Sequence, residues 1–157
     1  MTKRRIVISI ICIAMIAGLL AGCSAKTPIT SDIFSQTMTS ASFKVEDVTD
    51  RTQTNGLATS VIVAAKEDGS YQIEFWELTD SEVGLGIFSN NKNILSEEHS
   101  VRMMSSEINS GNYNYFAFTA DGNFHMIARI NNTMLYCEAN KDYKGEIINF
   151  AKQLGYK

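Results

Sequence analysis

Residues 113–139 read YNYFAFTADGNFHMIARINNTMLYCEA, and the fold class follows from this stretch. It contains two pairs, Asp121-Gly122 and Asn131-Asn132, that suit two-residue turns, in which both central residues need a positive φ. Runs rich in aromatic and branched residues flank each pair, as is typical of strands. The stretch therefore predicts an antiparallel meander with strands over 113–120, 123–130 and 133–139.

The two turns also predict which residues share a face of the sheet, because a two-residue turn fixes the register. Counting outward from both turns puts Ala117, Met126 and Cys137 on one side, and that side has the composition of a core covered by helices. The other side mixes aromatic and charged residues, and the strands around Asp68-Gly69 divide in the same way. The mixed side gives a candidate interaction face of Trp76, Phe116, Phe118, His125, Ile127, Arg129, Tyr136 and Glu138.

The mixed face allows two interpretations. If helices cover both sides of the sheet, its apolar members form a second, thinner core, and burial is the commoner fate of apolar strand residues. If helices cover one side only, the same residues form an exposed apolar patch rimmed by charge, which on a folded domain marks an interaction site.

The rest of the chain completes an α+β pattern. Further strands are predicted over 59–66 and 71–78, with weaker ones over 43–48 and 101–106. A helix over 31–39 follows the N-cap Thr30, and a second begins at the capping box of residues 79–82 and runs toward Leu95 despite Gly84 and Gly86. The third has an apolar stripe over 143–154 and ends at Gly155. The order α-β-β-β-α-β-β-β-β-α predicts an antiparallel sheet of about six to seven strands packed with three helices.

The N-terminus has the three zones of a secretory leader: the basic residues 3–5, an apolar run over 6–20, and the small pair Ala21-Gly22. Leu20-Ala21-Gly22-Cys23 resembles the lipobox of bacterial lipoprotein precursors. The resemblance implies a signal peptide over 1–22, lipidation of Cys23, and a lipidated cysteine with a short tether over 23–29. A single α+β extracytoplasmic domain over 30–157 would follow. The alternatives are an ordinary signal peptide and an uncleaved membrane helix, although the run is shorter than the ~20 residues of a usual span.

The net charge limits the classes of partner that the chain is expected to bind, and the cysteine content limits its disulfide chemistry. The chain has a formal net charge of −3, and loss of the three basic residues of the leader takes the mature form to about −6. This balance argues against nucleic acid and against electrostatic adhesion to anionic lipid, so the lipid would provide the attachment to the extracytoplasmic face of the cell membrane. With Cys12 in the leader and Cys23 acylated, Cys137 is unpaired, and we expect it to be a buried small apolar residue.

The sequence contains no phosphate-binding loop, nucleophile elbow or metal-binding cysteine or histidine motif, so we predict no catalytic residue, no cofactor and no metal. The register places His125 opposite Glu138, with Arg129 on the same face. A cross-strand ion pair is the preferred interpretation, and acid/base machinery is the alternative.

The arrangement of elements resembles that of small uncharacterised Gram-positive lipoproteins. Together these features predict a membrane-tethered, non-enzymatic binding or accessory module of the cell envelope, with an envelope protein or a small ligand as partner. The alternatives are a small hydrolase that uses His125 and Glu138, and a small-molecule carrier with a cavity between sheet and helices.

Overall fold

The computed structural model describes residues 25–99 and 105–157, and within these ranges it has an α+β fold, as predicted. The helices are α1 (Ser31–Ser40), α2 (Ser81–Glu98) and α3 (Lys144–Gln153), with short 3-10 helices at Thr49–Arg51 and Lys141–Tyr143. The strands are β1 (Phe43–Asp47), β2 (Ala58–Lys66), β3 (Gln72–Leu78), β4 (Ser106–Ser110), β5 (Tyr113–Ala120), β6 (Asn123–Ile130) and β7 (Thr133–Asn140).

The predicted leader over 1–22 and the predicted lipidation site Cys23 lie outside the described residues, as does most of the weak strand predicted over 101–106. The strand found next to that position is β4, which begins at Ser106. Among the described helices, none combines the length and the apolar character that crossing a membrane requires.

The seven strands form one antiparallel sheet in the order β1-β2-β3-β7-β6-β5-β4. The predicted register of the meander is confirmed, since Met126 pairs with Ala117 on one side and with Cys137 on the other. The pairing of β3 with β7 joins strands that are distant along the chain, and no turn in the sequence specifies it.

The turns agree with the predicted register but only partly with the predicted backbone. Asp121 and Gly122 both have positive φ, at 51° and 84°, whereas of the pair Asn131-Asn132 only Asn131 does. Residues 67–70 form a longer loop in which only Gly69 has positive φ. The register survives because that loop is centred on the same pair. A further turn at 111–112, with Gly111 at φ 51°, joins β4 to β5 and was not predicted.

The helices begin at side-chain caps. The Thr30 hydroxyl accepts a hydrogen bond from the backbone N–H of Ile33 at 3.3 Å, as expected for α1. The predicted N-cap of α2, Thr79, is wrong by one residue. The Asp80 carboxylate is the cap, because it accepts hydrogen bonds from the N–H groups of Glu82 and Val83 at 2.8 and 2.9 Å.

Helices cover both faces of the sheet. Helices α1 and α3 pack on the first face, where Phe34 stacks on Phe75 with ring centroids 5.1 Å apart. Helix α2 crosses the second face, and its Phe88 and Leu95 pack into a second core. The other members of that core are Phe116, Phe118, Ile127 and Met134, with Trp76, Ile87, Ala120 and Tyr136 packed against it. The second-core interpretation is therefore the one that the structure bears out.

The two ends of the sheet differ, and each takes its name here from one turn. The turn-111 end carries the turns 111–112 and 131–132, which are joined by a hydrogen bond from Asn131 N–H to the Asn112 carbonyl, and the starts of α1 and α2. The turn-121 end carries the turn 121–122, the loop 67–70 and the C-terminus of α2, where His99 meets Asp121.

Candidate functional site

The predicted interaction face is not an exposed patch. Five of its eight residues are buried under or beside α2, with between 0% and 3% of their surface exposed: Phe116, Phe118, His125, Ile127 and Arg129. Trp76 and Tyr136 are half-buried and Glu138 is exposed. Of the two interpretations of the mixed face, the open one is wrong for these five residues, because α2 lies across β6 and β7. The strand register does not specify where α2 packs.

The remaining part of that face borders a groove between β3 and β7. The two strands pair from Glu77 and Thr133 to Glu74 and Tyr136, and the ladder then stops. Beyond that point a groove of about 500 Å³ opens at the turn-121 end. Its lining is Ala65, Gly69, Tyr71, Gln72, Glu74, Asn123, Tyr136, Cys137, Glu138, Ala139 and Asn140.

Backbone groups of β7 face this groove. In an antiparallel sheet, successive residues of a strand direct their N–H and C=O groups to opposite neighbours. Lys141 N–H donates to the Gly122 carbonyl, so the odd-numbered residues of β7 bond toward β6. The alternation therefore directs the N–H and C=O groups of Glu138 and the N–H of Asn140 toward β3, across the stretch where the ladder has ended. Such groups are available to a bound ligand. The Asn140 carbonyl instead accepts the first hydrogen bond of the 3-10 helix that follows it.

The groove is acidic. The Glu74 carboxylate accepts hydrogen bonds from Gln72 Nε2 at 3.1 Å and from the Trp76 indole N–H at 3.2 Å. The Glu138 carboxylate lies 3.5 Å from the Tyr136 hydroxyl. Neither carboxylate forms an ion pair with a lysine or arginine of the described residues, and the lining contains no basic side chain. Two negative charges therefore face the groove without a cation.

The carboxylates of the groove contribute to raised pKa values of two neighbouring groups, Tyr136 and Cys137. Burial, followed by the charges of Glu138 and Glu74, raises the pKa of Tyr136 to about 12, because both effects disfavour the ionised form. Burial, with Glu74 and Glu138, likewise raises the pKa of Cys137 to about 12. The Cys137 thiol is buried and donates to the Gln72 carbonyl at 3.1 Å, as expected of a structural rather than a reactive cysteine.

The two histidines meet at the turn-121 end. His125 is 1% exposed and stacks on Phe118, with ring centroids 4.7 Å apart and planes 8° from parallel. The His99 ring lies 4.6 Å from that of His125, and His99 Nδ1 is 3.2 Å from an Asp121 carboxylate oxygen. His125 pairs with Glu138 in register, as predicted, but its Nδ1 is 3.7 Å from the carboxylate, which is too long for a hydrogen bond.

This geometry does not suit acid/base catalysis by His125. Both of its ring nitrogens are buried without a hydrogen-bond partner, so neither reaches a substrate in this conformation. Arg129 of the same predicted group lies at the other end of the sheet, where its guanidinium donates to the carbonyls of Ser81 and Asn131 at 3.2 and 2.6 Å. Arg129 therefore ties the start of α2 to the sheet and does not join the histidines.

Stability is expected to fall as the solution becomes mildly acidic. Burial lowers the pKa of His125 below its ordinary 6.5; Glu138 and Asp121 oppose this shift, and His99 adds to it. A histidine with a lowered pKa in the folded state contributes stability above about pH 6.5, and this contribution is lost as the pH falls through the folded-state value. The melting temperature should therefore decrease from about pH 7 to about pH 5.5.

Replacement of His125 by phenylalanine keeps an aromatic ring against Phe118 and removes the titration, so the decline over that pH range should largely disappear. His99→Gln is the matched control and should retain it, since His125 is still present. A profile of His125→Phe that still declines as steeply as the wild type would show that another group is responsible.

Comparison with family models, curated proteins and solved structures finds no match to this chain. Within the described ranges, no group of three or more histidine, cysteine, aspartate or glutamate side chains is placed to hold a metal ion. The groove between β3 and β7 is thus the candidate site on the strength of its own geometry. No signal in the sequence pointed to it beyond the mixed composition around Trp76, Tyr136 and Glu138.

Proposed function

We propose that this chain is a lipid-anchored binding module of the cell envelope that captures a positively charged group in the groove between β3 and β7, without a catalytic step of its own. The observation that supports this most strongly is the pair of carboxylates, Glu74 and Glu138, which line the groove with no lysine or arginine beside them. The anchor is proposed from the leader sequence and Cys23.

A primary ammonium group fits the groups that line the groove. Each carboxylate would accept a charge-assisted hydrogen bond, about twice as strong as a neutral one. The Tyr136 ring adds a surface for a cation–π contact, which is effective when the cation lies within about 6 Å of the ring centroid. The backbone carbonyl of Glu138 provides a further acceptor. An anionic ligand, by contrast, would meet two uncompensated negative charges.

The ammonium group could belong to a lysine of an envelope protein or to a small amine, and both offer the same chemistry to the groove. We expect the domain to bind trilysine more tightly than butylamine if a polypeptide is the natural source, since a peptide would also pair with the backbone groups of β7. A preference for butylamine would indicate a small amine instead.

Removal of either carboxylate is expected to weaken trilysine binding about ten- to a hundredfold, because a charge-assisted hydrogen bond is worth roughly 1.5–3 kcal/mol. The measurement is isothermal titration calorimetry at low ionic strength with Glu74→Gln and Glu138→Gln. Glu97→Gln is the matched control, since it removes the same charge from an exposed position of α2 that does not line the groove.

The control should bind as the wild type does. Equal losses in all three variants would mean that trilysine responds to net charge alone and would refute the groove as the site. Absence of binding by the wild type would refute the proposed ligand class.

A further inference from the structure

The segment between the predicted lipid anchor and the domain is docked. The Lys26 backbone N–H donates to the Asn112 side-chain oxygen at 3.1 Å, and the Asn112 amide donates back to the Lys26 carbonyl at 2.7 Å. The Lys26 ammonium donates to the Gly155 carbonyl at 2.6 Å and lies 3.9 Å from the centroid of the Tyr113 ring. Lys26 is therefore held by the β4–β5 turn, by β5 and by the residues after α3.

This docking leaves little free chain. Three residue steps separate Cys23 from Lys26, and an extended chain spans at most about 3.5 Å per residue, so the lipidated residue would lie within about 10 Å of the Lys26 backbone. The sequence predicts a lipidated cysteine and a short tether over 23–29, and within that segment Lys26 contacts the folded domain. A lipid on Cys23 would then bring one particular end of the sheet to the bilayer.

That end also displays apolar side chains. Ile33 near the start of α1, Leu57 beside the end of β3, and Leu85 near the start of α2 are all exposed, and all three belong to the turn-111 end. Isolated exposed apolar residues are common on protein surfaces, but three on different elements at the end that carries the tether match a bilayer interface. Asp32 and Glu82 at the same end disfavour anionic headgroups, so lipid insertion and apolar contact would hold the domain there.

We propose that the docked tether orients the domain, with the turn-111 end against the bilayer and the groove between β3 and β7 at the end directed away from it. This rests on the lipid anchor of the proposed function. The strands are about eight residues long, so the turn-121 end would stand roughly 25 Å farther from the membrane than the turn at 111–112, and the groove lies in the half of the sheet nearer that end. The partner would accordingly present its ammonium group from the envelope outside the membrane, not from the bilayer that holds the anchor.

Energy transfer to a headgroup acceptor tests this orientation. The full chain, purified with its lipid and reconstituted in phosphatidylcholine vesicles, would carry a donor dye on Ser110→Cys or on Glu67→Cys, which are exposed positions at opposite ends of the sheet. Cys137 is buried, so it would not compete for the dye. We expect the donor at position 110 to lie closer to the headgroups by about 25 Å. Equal distances, or the reverse order, would overturn the proposal.

Asn112→Ala removes both amide contacts with Lys26 and should let the domain tumble on a longer tether, so the two donor distances should become similar. Asn109→Ala is the matched control, because Asn109 contacts Glu107 and Asn114 but not the tether. Retention of the full distance difference in Asn112→Ala would show that docking does not set the orientation. Lys26→Ala provides a second variant that leaves the turn intact, and the same criterion applies to it.

The mass of the mature N-terminal peptide tests the orientation proposal separately from the proposal that the groove binds an ammonium group. A diacylglyceryl group on Cys23 supports the premise, and a mature start elsewhere without lipid would overturn both the anchor and the orientation. Trilysine binding by the full chain does not depend on either result, so it tests the groove independently.

Discussion

Gly84→Ala is expected to destabilise the protein by about 1–3 kcal/mol, because the added methyl group would overlap the backbone of a neighbouring turn. A Cβ at this position would lie 2.7 Å from the Asn131 carbonyl oxygen and 3.5 Å from the Arg129 side chain. The oxygen belongs to the backbone of the β6–β7 turn and cannot swing aside, so α2 would have to move away from the sheet. Urea denaturation monitored by tryptophan fluorescence measures the loss.

Gly86 provides the matched control within the same helix. No atom lies within 4 Å of a Cβ built there, so Gly86→Ala should gain the helix propensity of alanine, about 1 kcal/mol, without a clash. Comparison of Gly84→Ala with Gly86→Ala therefore separates the cost of the steric clash from the gain in helix propensity. If Gly84→Ala were as stable as Gly86→Ala, α2 would not lie as close to the β6–β7 turn as the structure places it.

Phe116→Ala is expected to cost about 3–5 kcal/mol, as is typical when a buried phenylalanine is truncated. Phe116 is 3% exposed, packs with Phe118 at a centroid distance of 5.4 Å, and belongs to the core beneath α2. Ile94→Ala on α2 is the control, since Ile94 is exposed and its truncation should change the free energy of unfolding by no more than about 0.5 kcal/mol.

Chemical denaturation of both variants distinguishes the two interpretations of the mixed face. A loss of less than about 1 kcal/mol for Phe116→Ala, with reduced capture of a partner, would indicate an exposed interaction patch. A large loss of stability with unchanged trilysine affinity at temperatures where the variant is folded would identify Phe116 as a core residue.

Local turn chemistry explains why so much of the sheet could be predicted. Asp121-Gly122 fixes the register of β5 with β6, and Asn131-Asn132 that of β6 with β7 even though only one of these asparagines has positive φ. A register counted from the centre of a loop is insensitive to the type of turn, which is why the loop around Gly69 also gave the correct pairing of β2 with β3.

The groove could not be predicted because it depends on a contact between strands that no turn connects. The sheet order brings β3 beside β7 across the insertion of α2, β4, β5 and β6, and the groove lies where that one pairing ends, next to Glu74 and Tyr136. The sequence also did not predict that α2 covers the second face of the sheet. The register assigns residues to a face, but it does not say which helix packs on that face. Of the eight face residues, only Tyr136 and Glu138 line the groove. Trp76 lies at the edge of the groove, where its indole N–H donates a hydrogen bond to Glu74.

Mapping of backbone amide chemical shifts during a trilysine titration tests the groove most directly. We predict that the shifts concentrate on Gln72, Glu138 and Asn140, with little change at Phe116 or at the turn-111 end. Shifts centred beneath α2, or spread evenly over the acidic surface, would contradict the assignment of the β3–β7 groove as the site that binds an ammonium group.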